Sequence, residues 1–436
     1  MLEVELTANQ LVSALLSLSA VEQVCILDSC GVGHLGSHLL IAGISPILAT
    51  EITSDDPAEA LYLMASAVSR DDAVTFFTLS YEFGRRLQNI ATCDPNSSYR
   101  TEPDVYIAQF DVAVFHDYAV GRTWVAGDRR KLEATRDLLL NAVREHPPTS
   151  TEITKATSNF SYDEYISAIR YIQEEIRRGN TYQANLTQQL RVDLPSLSTP
   201  QTVFQRLRED HPAPFAAFIK RQDSVVVSAS PERFFTIDPR TRTISTSPIK
   251  GTIARGGDHE SDELLKSKLL DSRKDRAENT MIVDLLRNDL GRVCEFGSVR
   301  VEKLCDLEEH PTLFHLVSTV TGKLREDVGF SQILKALFPC GSITGAPKIS
   351  TMKMIDAIEP SPRGLSMGAI GYHIPDGNMF GMAGIFDLSV AIRTMVIRDC
   401  VATFNVGGGI VIDSDPRSEY DETLTKAKAL LDALGA

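Results

Sequence analysis

Apolar and polar residues follow a helical period in one stretch near the middle of the chain. Between Ser161 and Gly179 the apolar side chains recur every three or four residues, which is the period of an amphipathic helix. Ser161 and Glu164 stand in front of this run with the spacing of a capping box. The pattern therefore predicts a helix that begins after Ser161 and ends at Gly179.

The segments beyond this helix mix strand-like and helical patterns. Short apolar runs predict strands, whereas spaced apolar residues predict helices. The predicted strands cover 215–219, 224–229, 241–245, 319–324, 388–397 and 401–406, and the predicted helices cover 262–290, 350–358 and a closing segment from about 418. Because these elements do not alternate as regular strand–helix–strand units, we expect an α+β fold with large, antiparallel-rich sheets packed together and flanked by helices.

A polar, proline-bearing stretch at 146–151 divides the chain. Such composition is typical of a connection between folded regions. The sequence before it carries no recognisable chemical motif. We therefore expect an N-terminal region over 1–150 and a catalytic region over 160–434.

Charge and composition narrow the function classes. The 436 residues carry a formal net charge of −14, which argues against nucleic acid as the main partner because phosphate binding relies on clustered Lys and Arg. No uncharged apolar run approaches the ~18 residues of a membrane span, and the acidic N-terminus is unlike a secretory signal. Seven cysteines are scattered without a CxxC pair. We expect a cytoplasmic protein with reduced thiols and no membrane contact.

Acidic residues spaced three apart occur in two places. Glu419 and Glu422 share one helix face, with Lys426 four residues after Glu422, and Asp275 and Glu278 have the same spacing further upstream. Such faces are often only solvated ladders of ion pairs. Carboxylates from two segments are also the ligands that Mg²⁺ takes, together with water and substrate oxygens.

Glycine-rich stretches offer backbone N–H groups to an anion. Gly407, Gly408 and Gly409 follow a predicted strand, and the loop 341–348, which contains Thr344, precedes a helix. A tight turn explains the three glycines about as well. The loop lacks the Gly-Lys-Ser/Thr ending of a nucleotide-binding P-loop.

An acid, a lysine and an arginine occupy unusual positions. Glu232 in Ser-Pro-Glu-Arg-Phe and Lys250 in Pro-Ile-Lys-Gly-Thr follow strand-like segments, so they suit a proton donor and a nucleophile, although such positions are more often plain turns. Arg393 interrupts an apolar run, and its guanidinium matches a carboxylate with two hydrogen bonds. His315 and Tyr372 are by themselves more typical of a core than of a ligand site.

Taken together and in this order, these motifs resemble the chorismate-utilising enzymes. The resemblance covers roughly residues 160–434 and implies the fold of that family, chorismate as the substrate and Mg²⁺ as the cofactor. The motifs that carry it lie at 230–234, 248–252, 275–279, 315–318, 341–348, 392–394, 407–409 and 419–423.

The resemblance also implies residue roles. Glu278 and Glu422 would hold Mg²⁺, with Glu419 near it through water. Glu232 would give a proton to the departing C4 hydroxyl of chorismate, and Lys250 would attack C2 as a covalent nucleophile. The other implied substrate contacts are Arg393 and Tyr372 at the enolpyruvyl carboxylate, Gly408, Gly409 and Lys426 at further anionic groups, His315 near the reacting ring, and Thr344.

Two positions favour one branch of the family. Gln183 stands where the water-adding members carry a lysine base, and a glutamine cannot deprotonate water, so ammonia becomes the expected nucleophile. Lys250 replaces an alanine that is usual in the anthranilate-forming members, which favours amination at C4 with pyruvate retained. Anthranilate formation, amination at C2, and a non-catalytic relative that binds tryptophan or a partner subunit remain alternatives.

The implied ammonia source is a separate glutamine amidotransferase subunit. The chain has no Gly-x-Cys-x-Gly nucleophile motif, and Cys340 is interpreted as incidental. Some relatives also bind tryptophan in the N-terminal region, where Ser29 would be expected to contribute. An ordinary strand end explains Ser29 equally well.

Overall fold

The computed structural model describes residues 1–34, 38–90, 102–143, 154–196, 198–309, 313–377 and 379–436. Cys93 and the predicted boundary at 146–151 lie outside these residues. The described strands are β1 (Leu2–Val4), β2 (Val24–Asp28), β3 (Leu39–Ile44), β4 (Leu48–Ile52), β5 (Val74–Leu79), β6 (Val105–Phe110), β7 (Val112–Asp117), β8 (Arg122–Gly127), β9 (Thr157–Ser158), β10 (Gln183–Asp193), β11 (Phe215–Lys220), β12 (Val225–Ser230), β13 (Arg233–Asp238), β14 (Thr243–Ser247), β15 (Ile249–Ala254), β16 (Arg300–Glu309), β17 (Leu313–Lys323), β18 (Gly345–Ala346), β19 (Ala369–Ile374), β20 (Ile385–Val390), β21 (Thr394–Arg398) and β22 (Val401–Ile410).

Helices accompany these strands along the whole described chain. They are α1 (Ala8–Leu18), α2 (Pro57–Val68), α3 (Tyr81–Leu87), α4 (Leu132–Ala142), α5 (Tyr162–Arg177), α6 (Pro200–Asp210), α7 (His259–Leu270), α8 (Arg273–Gly291), α9 (Phe330–Leu337), α10 (Lys348–Ile358) and α11 (Pro416–Leu434), with a short 3₁₀ turn at Gly341–Ile343. Within the described ranges, no helix is both long enough and apolar enough to cross a bilayer.

The strands form two large antiparallel sheets. The first has 12 strands in the order β1-β8-β7-β3-β2-β11-β12-β21-β22-β10-β18, with β9 also paired to β10. The second has 10 strands in the order β15-β17-β14-β13-β20-β19-β5-β6-β4, with β16 paired to β17. The predicted α+β class with large antiparallel sheets is confirmed. Strands from the first 150 residues enter both sheets.

Alternating side chains divide the core into layers. In β2, Val24 and Ile26 face α1 and neighbouring helices, whereas Cys25 faces the other sheet. In β5, Phe76 packs between the sheets, and Phe77 packs against the helices of the second sheet. The molecule is therefore a sandwich of helices, sheet, sheet and helices.

The predicted helix after Ser161 is confirmed, because α5 begins at Tyr162 and carries the full capping box of Ser161 and Glu164. The helical region predicted over 262–290 is confirmed, but its continuity is wrong. The chain instead forms α7 and α8, because Ser272 leaves the helical conformation and its hydroxyl accepts a hydrogen bond from the backbone N–H of Asp275.

The predicted strand over 388–397 is also wrong. Its first half is β20 in the second sheet and its second half is β21 in the first sheet. The chain crosses between the sheets at Arg393, whose φ is +48°. A continuous apolar run arises here because both strands are buried, so hydrophobicity alone did not reveal the crossover.

Candidate active site

The three consecutive glycines lie inside β22, not in a turn after it. Gly408 pairs with Leu186 and Gly409 pairs with Asn185 of β10, so the alternative explanation of a tight turn is wrong. Close approach of side chains explains the glycines instead. A Cβ atom on Gly409 would lie 2.1 Å from the Nε2 atom of Gln183, which is far inside van der Waals contact.

Helix α11 places charged side chains over Gly408. A Cβ atom at that position would lie 3.2 Å from Oε2 of Glu419, 3.8 Å from Oε1 of Glu422 and 3.6 Å from Nζ of Lys426. Lys426 also bonds to Glu422 at 2.7 Å and donates to the carbonyl of Gly407 at 3.0 Å. The predicted helix face therefore points at the glycine strand, with Glu419 buried and with Glu422 and Lys426 partly open to solvent.

Helix α8 contributes a third carboxylate. Burial raises the pKa of Glu278 above its ordinary value, against the opposing charges of Lys250 and Lys274, and the charge of Glu419 raises it further. Glu278 therefore lies within electrostatic reach of α11, although 141 residues separate it from Glu419 along the chain. We call Glu278, Glu419 and Glu422 the acid cluster.

The two carboxylates on α11 differ in their surroundings. Burial acts to raise the pKa of Glu422, but the ammonium groups of Lys426, Lys274 and Lys250 lower it below its ordinary value. Glu419 is only 4% exposed, and its Oε1 atom accepts from the Ser414 hydroxyl at 2.7 Å. Strong local positive charge therefore keeps Glu422 ionised.

Glu232 and Lys250 lie within electrostatic reach of each other beside the acid cluster. Burial raises the pKa of Glu232 above its ordinary value, and neither the charge of Lys250 nor a hydrogen bond from Ser342 cancels the rise. Lys250 also acts electrostatically on Glu278 and Glu422. The charge of Lys250 therefore acts on three carboxylates, those of Glu232, Glu278 and Glu422. A nucleophilic lysine beside an acid and a metal site would need such an environment.

The acid cluster fits a hard divalent cation by its chemistry. Its three carboxylates come from two helices, and Mg²⁺ needs one or two of them together with water and substrate oxygens. Among the described residues, no three acidic, histidine or cysteine side chains are already arranged around one point at metal-binding distance. Glu419 forms an ion pair with Lys274, and Glu422 forms one with Lys426.

Arg393 lies at the crossover between the sheets, partly buried. Burial lowers the pKa of its guanidinium, and no carboxylate of the described residues pairs with it. A partly buried arginine without a counter-ion is suited to an incoming anion. The arginine whose charge acts on Tyr372 is Arg233. The strand register places Tyr372 opposite Asp387, and burial and then the Asp387 charge raise its pKa.

His315, Thr344 and Ser29 occupy three different environments. His315 on β17 is buried, and its Nδ1 atom lies 2.8 Å from the Thr252 hydroxyl, two residues after Lys250. The Thr344 hydroxyl bonds to the carbonyl of Cys340 at 3.1 Å. The Ser29 hydroxyl is buried without a hydrogen-bond partner. The substrate contacts of His315 and Thr344, and the tryptophan contact of Ser29, stay predictions.

The amino-acid sequence of the chain matches a known protein family. The model of the chorismate binding enzymes matches residues 25–432. The chain belongs to this family. The match begins well before residue 160, so family similarity extends into the N-terminal region.

Named relatives include proteins of different length. The aminodeoxychorismate synthase component 1 of Klebsiella aerogenes is 40% identical over 356 residues, which cover 81% of this chain and 75% of the relative. The aminodeoxychorismate synthase of Streptomyces griseus is 39% identical over 360 residues, which cover 78% of this chain and 48% of the relative. This chain therefore spans about half the length of the Streptomyces protein.

Solved structures of the family share the fold. Anthranilate synthase component I from Streptococcus pneumoniae superimposes with a TM-score of 0.78 at 25% identity, over 92% of this chain and 93% of that chain. The two-sheet architecture is thus common to family members with different names.

Sequence reasoning missed two side chains of the site. Lys274 bonds to Glu419 at 3.3 Å, and the Ser342 hydroxyl lies close enough to Glu232 to lower the pKa of its carboxyl. Lys274 precedes Glu278 by four residues, so the helical spacing already placed both on one face. Nothing local marked Ser342, because its partner comes from a distant strand end.

A cleft of about 710 Å³ opens at the other end of β10, where Gln189, Glu359 and Arg363 line it. None of the predicted site residues lines this cleft. The candidate site therefore rests on the acidic and basic side chains around the acid cluster, and not on this cleft.

Proposed function

We propose that the chain is the chorismate-aminating component of an aminodeoxychorismate synthase. In this reaction ammonia replaces the C4 hydroxyl of chorismate and gives 4-amino-4-deoxychorismate, the precursor of 4-aminobenzoate for folate. The proposal is supported by the electrostatic proximity of Lys250 to Glu232 and to the acid cluster. These side chains would together provide a nucleophile, a buried acid and carboxylates for a metal. The names of the Klebsiella and Streptomyces relatives support it.

The chemistry divides into two displacements. The Lys250 amine adds to C2, the ring double bonds shift, and the C4 hydroxyl leaves as water with a proton from Glu232. Ammonia then adds to C4, the double bonds shift back, and the bond from C2 to Lys250 breaks. Covalent catalysis of this kind replaces one hard step by two easier ones.

The remaining residues bind and orient chorismate. Glu278 and Glu422 would hold Mg²⁺, with Glu419 near it through water, and the bound ion would neutralise the ring carboxylate and withdraw electron density from the ring. Arg393, which lacks a carboxylate partner among the described residues, would bind the enolpyruvyl carboxylate, together with Tyr372 if substrate binding brings the two closer. Lys426, Gly408 and Gly409 line the side of the acid cluster.

A separate glutamine amidotransferase subunit would supply the ammonia. The term component 1 in the name of the Klebsiella relative implies a second component for that protein. Free ammonia would then substitute for the partner when the chain is studied alone.

Anthranilate formation is the second candidate, because a solved structure with that name shares the fold at 25% identity. The test is to incubate the chain with chorismate, Mg²⁺ and ammonium and to identify the product by mass. We expect a product that keeps the pyruvyl group and yields 4-aminobenzoate only after a lyase is added. Fluorescent anthranilate with released pyruvate would instead establish the second candidate.

Replacing Ser342 with alanine is expected to move the alkaline limb of the pH–rate profile upward. The hydrogen bond from Ser342 favours the carboxylate form of Glu232, so its loss raises the pKa of Glu232 further. The acid then stays protonated to a higher pH, by about one pH unit or less for a bond of roughly 1 kcal/mol. Profiles of kcat for both proteins measure this shift, and a limb that stays in place or moves downward contradicts it.

A further inference from the structure

Lys274 lies beside the acid cluster, and its side chain is partly exposed to solvent. It lies in the first turn of α8, and its ammonium group donates to Oε1 of Glu419 at 3.3 Å. The charges of Glu278 and Glu422 also act on it. A single ammonium group is therefore placed among all three carboxylates.

The other two lysines near the acid cluster have additional partners. Lys426 is shared between Glu422 and the carbonyl of Gly407, and Lys250 lies beside Glu232. For Lys274, the bond to Glu419 is the one side-chain hydrogen bond among the described residues. Its side chain is 55% exposed, whereas that of Glu419 is 4% exposed, so the lysine can turn into water while the acid cannot.

Lys274 would oppose the binding of a doubly charged cation at this site in two ways. The ammonium group occupies an oxygen of Glu419, and it repels a cation placed a few ångströms away. Releasing one half-exposed ammonium group to water costs little, since an ion pair that is open to solvent contributes little to stability. The cation therefore binds more easily after the Lys274 ammonium group has moved into water than beside it.

We propose that Lys274 competes with the divalent cation for the acid cluster, so that metal binding requires its ammonium group to leave Glu419. This inference rests on the metal site of the proposed function and adds a residue that weakens metal affinity. Lys274 is thus a positioning residue for the cluster. It balances a buried carboxylate and sets how tightly the cation is held.

Direct measurement of metal binding tests the proposal. Mn²⁺ binding is followed by the loss of the free-ion signal in electron paramagnetic resonance, and Mg²⁺ binding by calorimetry, both without chorismate. The Lys274→Met protein is expected to bind either ion about three- to tenfold more tightly, which corresponds to the energy of one partly exposed ion pair. Lys274→Arg keeps the charge and is expected to stay within about twofold of the unaltered protein.

A matched control removes another lysine that is paired with an acid. Lys303 bonds to Asp306 at 2.6 Å on β16, away from the cluster, so Lys303→Met is expected to leave metal affinity unchanged. Equal or weaker binding by Lys274→Met would overturn the proposal. If Glu278→Gln failed to weaken binding, the metal would lie elsewhere, and the metal assignment of the proposed function would fall together with this inference.

Discussion

Replacing Lys250 with alanine is expected to reduce formation of the aminated product by about a thousandfold or more, because loss of a covalent nucleophile removes a whole pathway and not one contact. Chorismate binding should largely persist, since Arg393 and the acid cluster are unchanged. Product formation is measured by mass under saturating ammonium, and chorismate binding by calorimetry.

The charge of Lys250 needs its own control, because that charge acts on Glu232, Glu278 and Glu422. Lys250→Arg keeps the charge but removes the primary amine. If both variants lose activity, the amine itself is required. If arginine restores most of the rate, the role of Lys250 is electrostatic and the covalent step is wrong.

Replacing Glu278 with glutamine is expected to have the second large effect. The substitution keeps the shape of the side chain and removes one proposed metal ligand, so both Mn²⁺ affinity and the amination rate should fall by about a hundredfold. Metal titration by paramagnetic resonance and the rate at increasing Mg²⁺ measure the two effects. High Mg²⁺ should restore part of the rate.

The Glu278→Gln substitution should leave the stability of the fold unchanged or raise it, although it lowers metal affinity and the amination rate. Burial raises the pKa of Glu278 in the folded chain, so ionisation of this group destabilises the fold at pH values above its unfolded pKa, and stability increases as the pH falls. The neutral glutamine removes this cost, and thermal unfolding at neutral pH should occur at the same or a higher temperature. Asp284→Asn, an exposed acid on the same helix, is the matched control and should leave metal affinity and rate unchanged. A loss of metal binding that merely follows unfolding would contradict the assignment.

Local pattern was sufficient where the determining contacts lie close together in the chain. The capping box and apolar period of α5 are such contacts, and both its ends were predicted from them. The irregular mixture of strands and helices was also enough to give the fold class. The order of short motifs further predicted the family, because each motif keeps its residues within a few positions of one another.

Periodicity failed where the chain changes sheets or helices. The run at 388–397 is apolar throughout, since β20 and β21 are both buried, and the crossover at Arg393 left no signal in hydrophobicity. The break between α7 and α8 depends on a cap at Ser272 that a longer helical period conceals.

By itself, the sequence determined which chemical groups this protein has and the helices and strands that present them. Tertiary structure decided which of those groups meet: Glu278 with Glu419, Lys250 with Glu232, Ser342 with Glu232, and Gln183 with Gly409. The physical reason is that residues on different strands and helices approach one another only through the packing of those elements, and no local period along the chain records that packing.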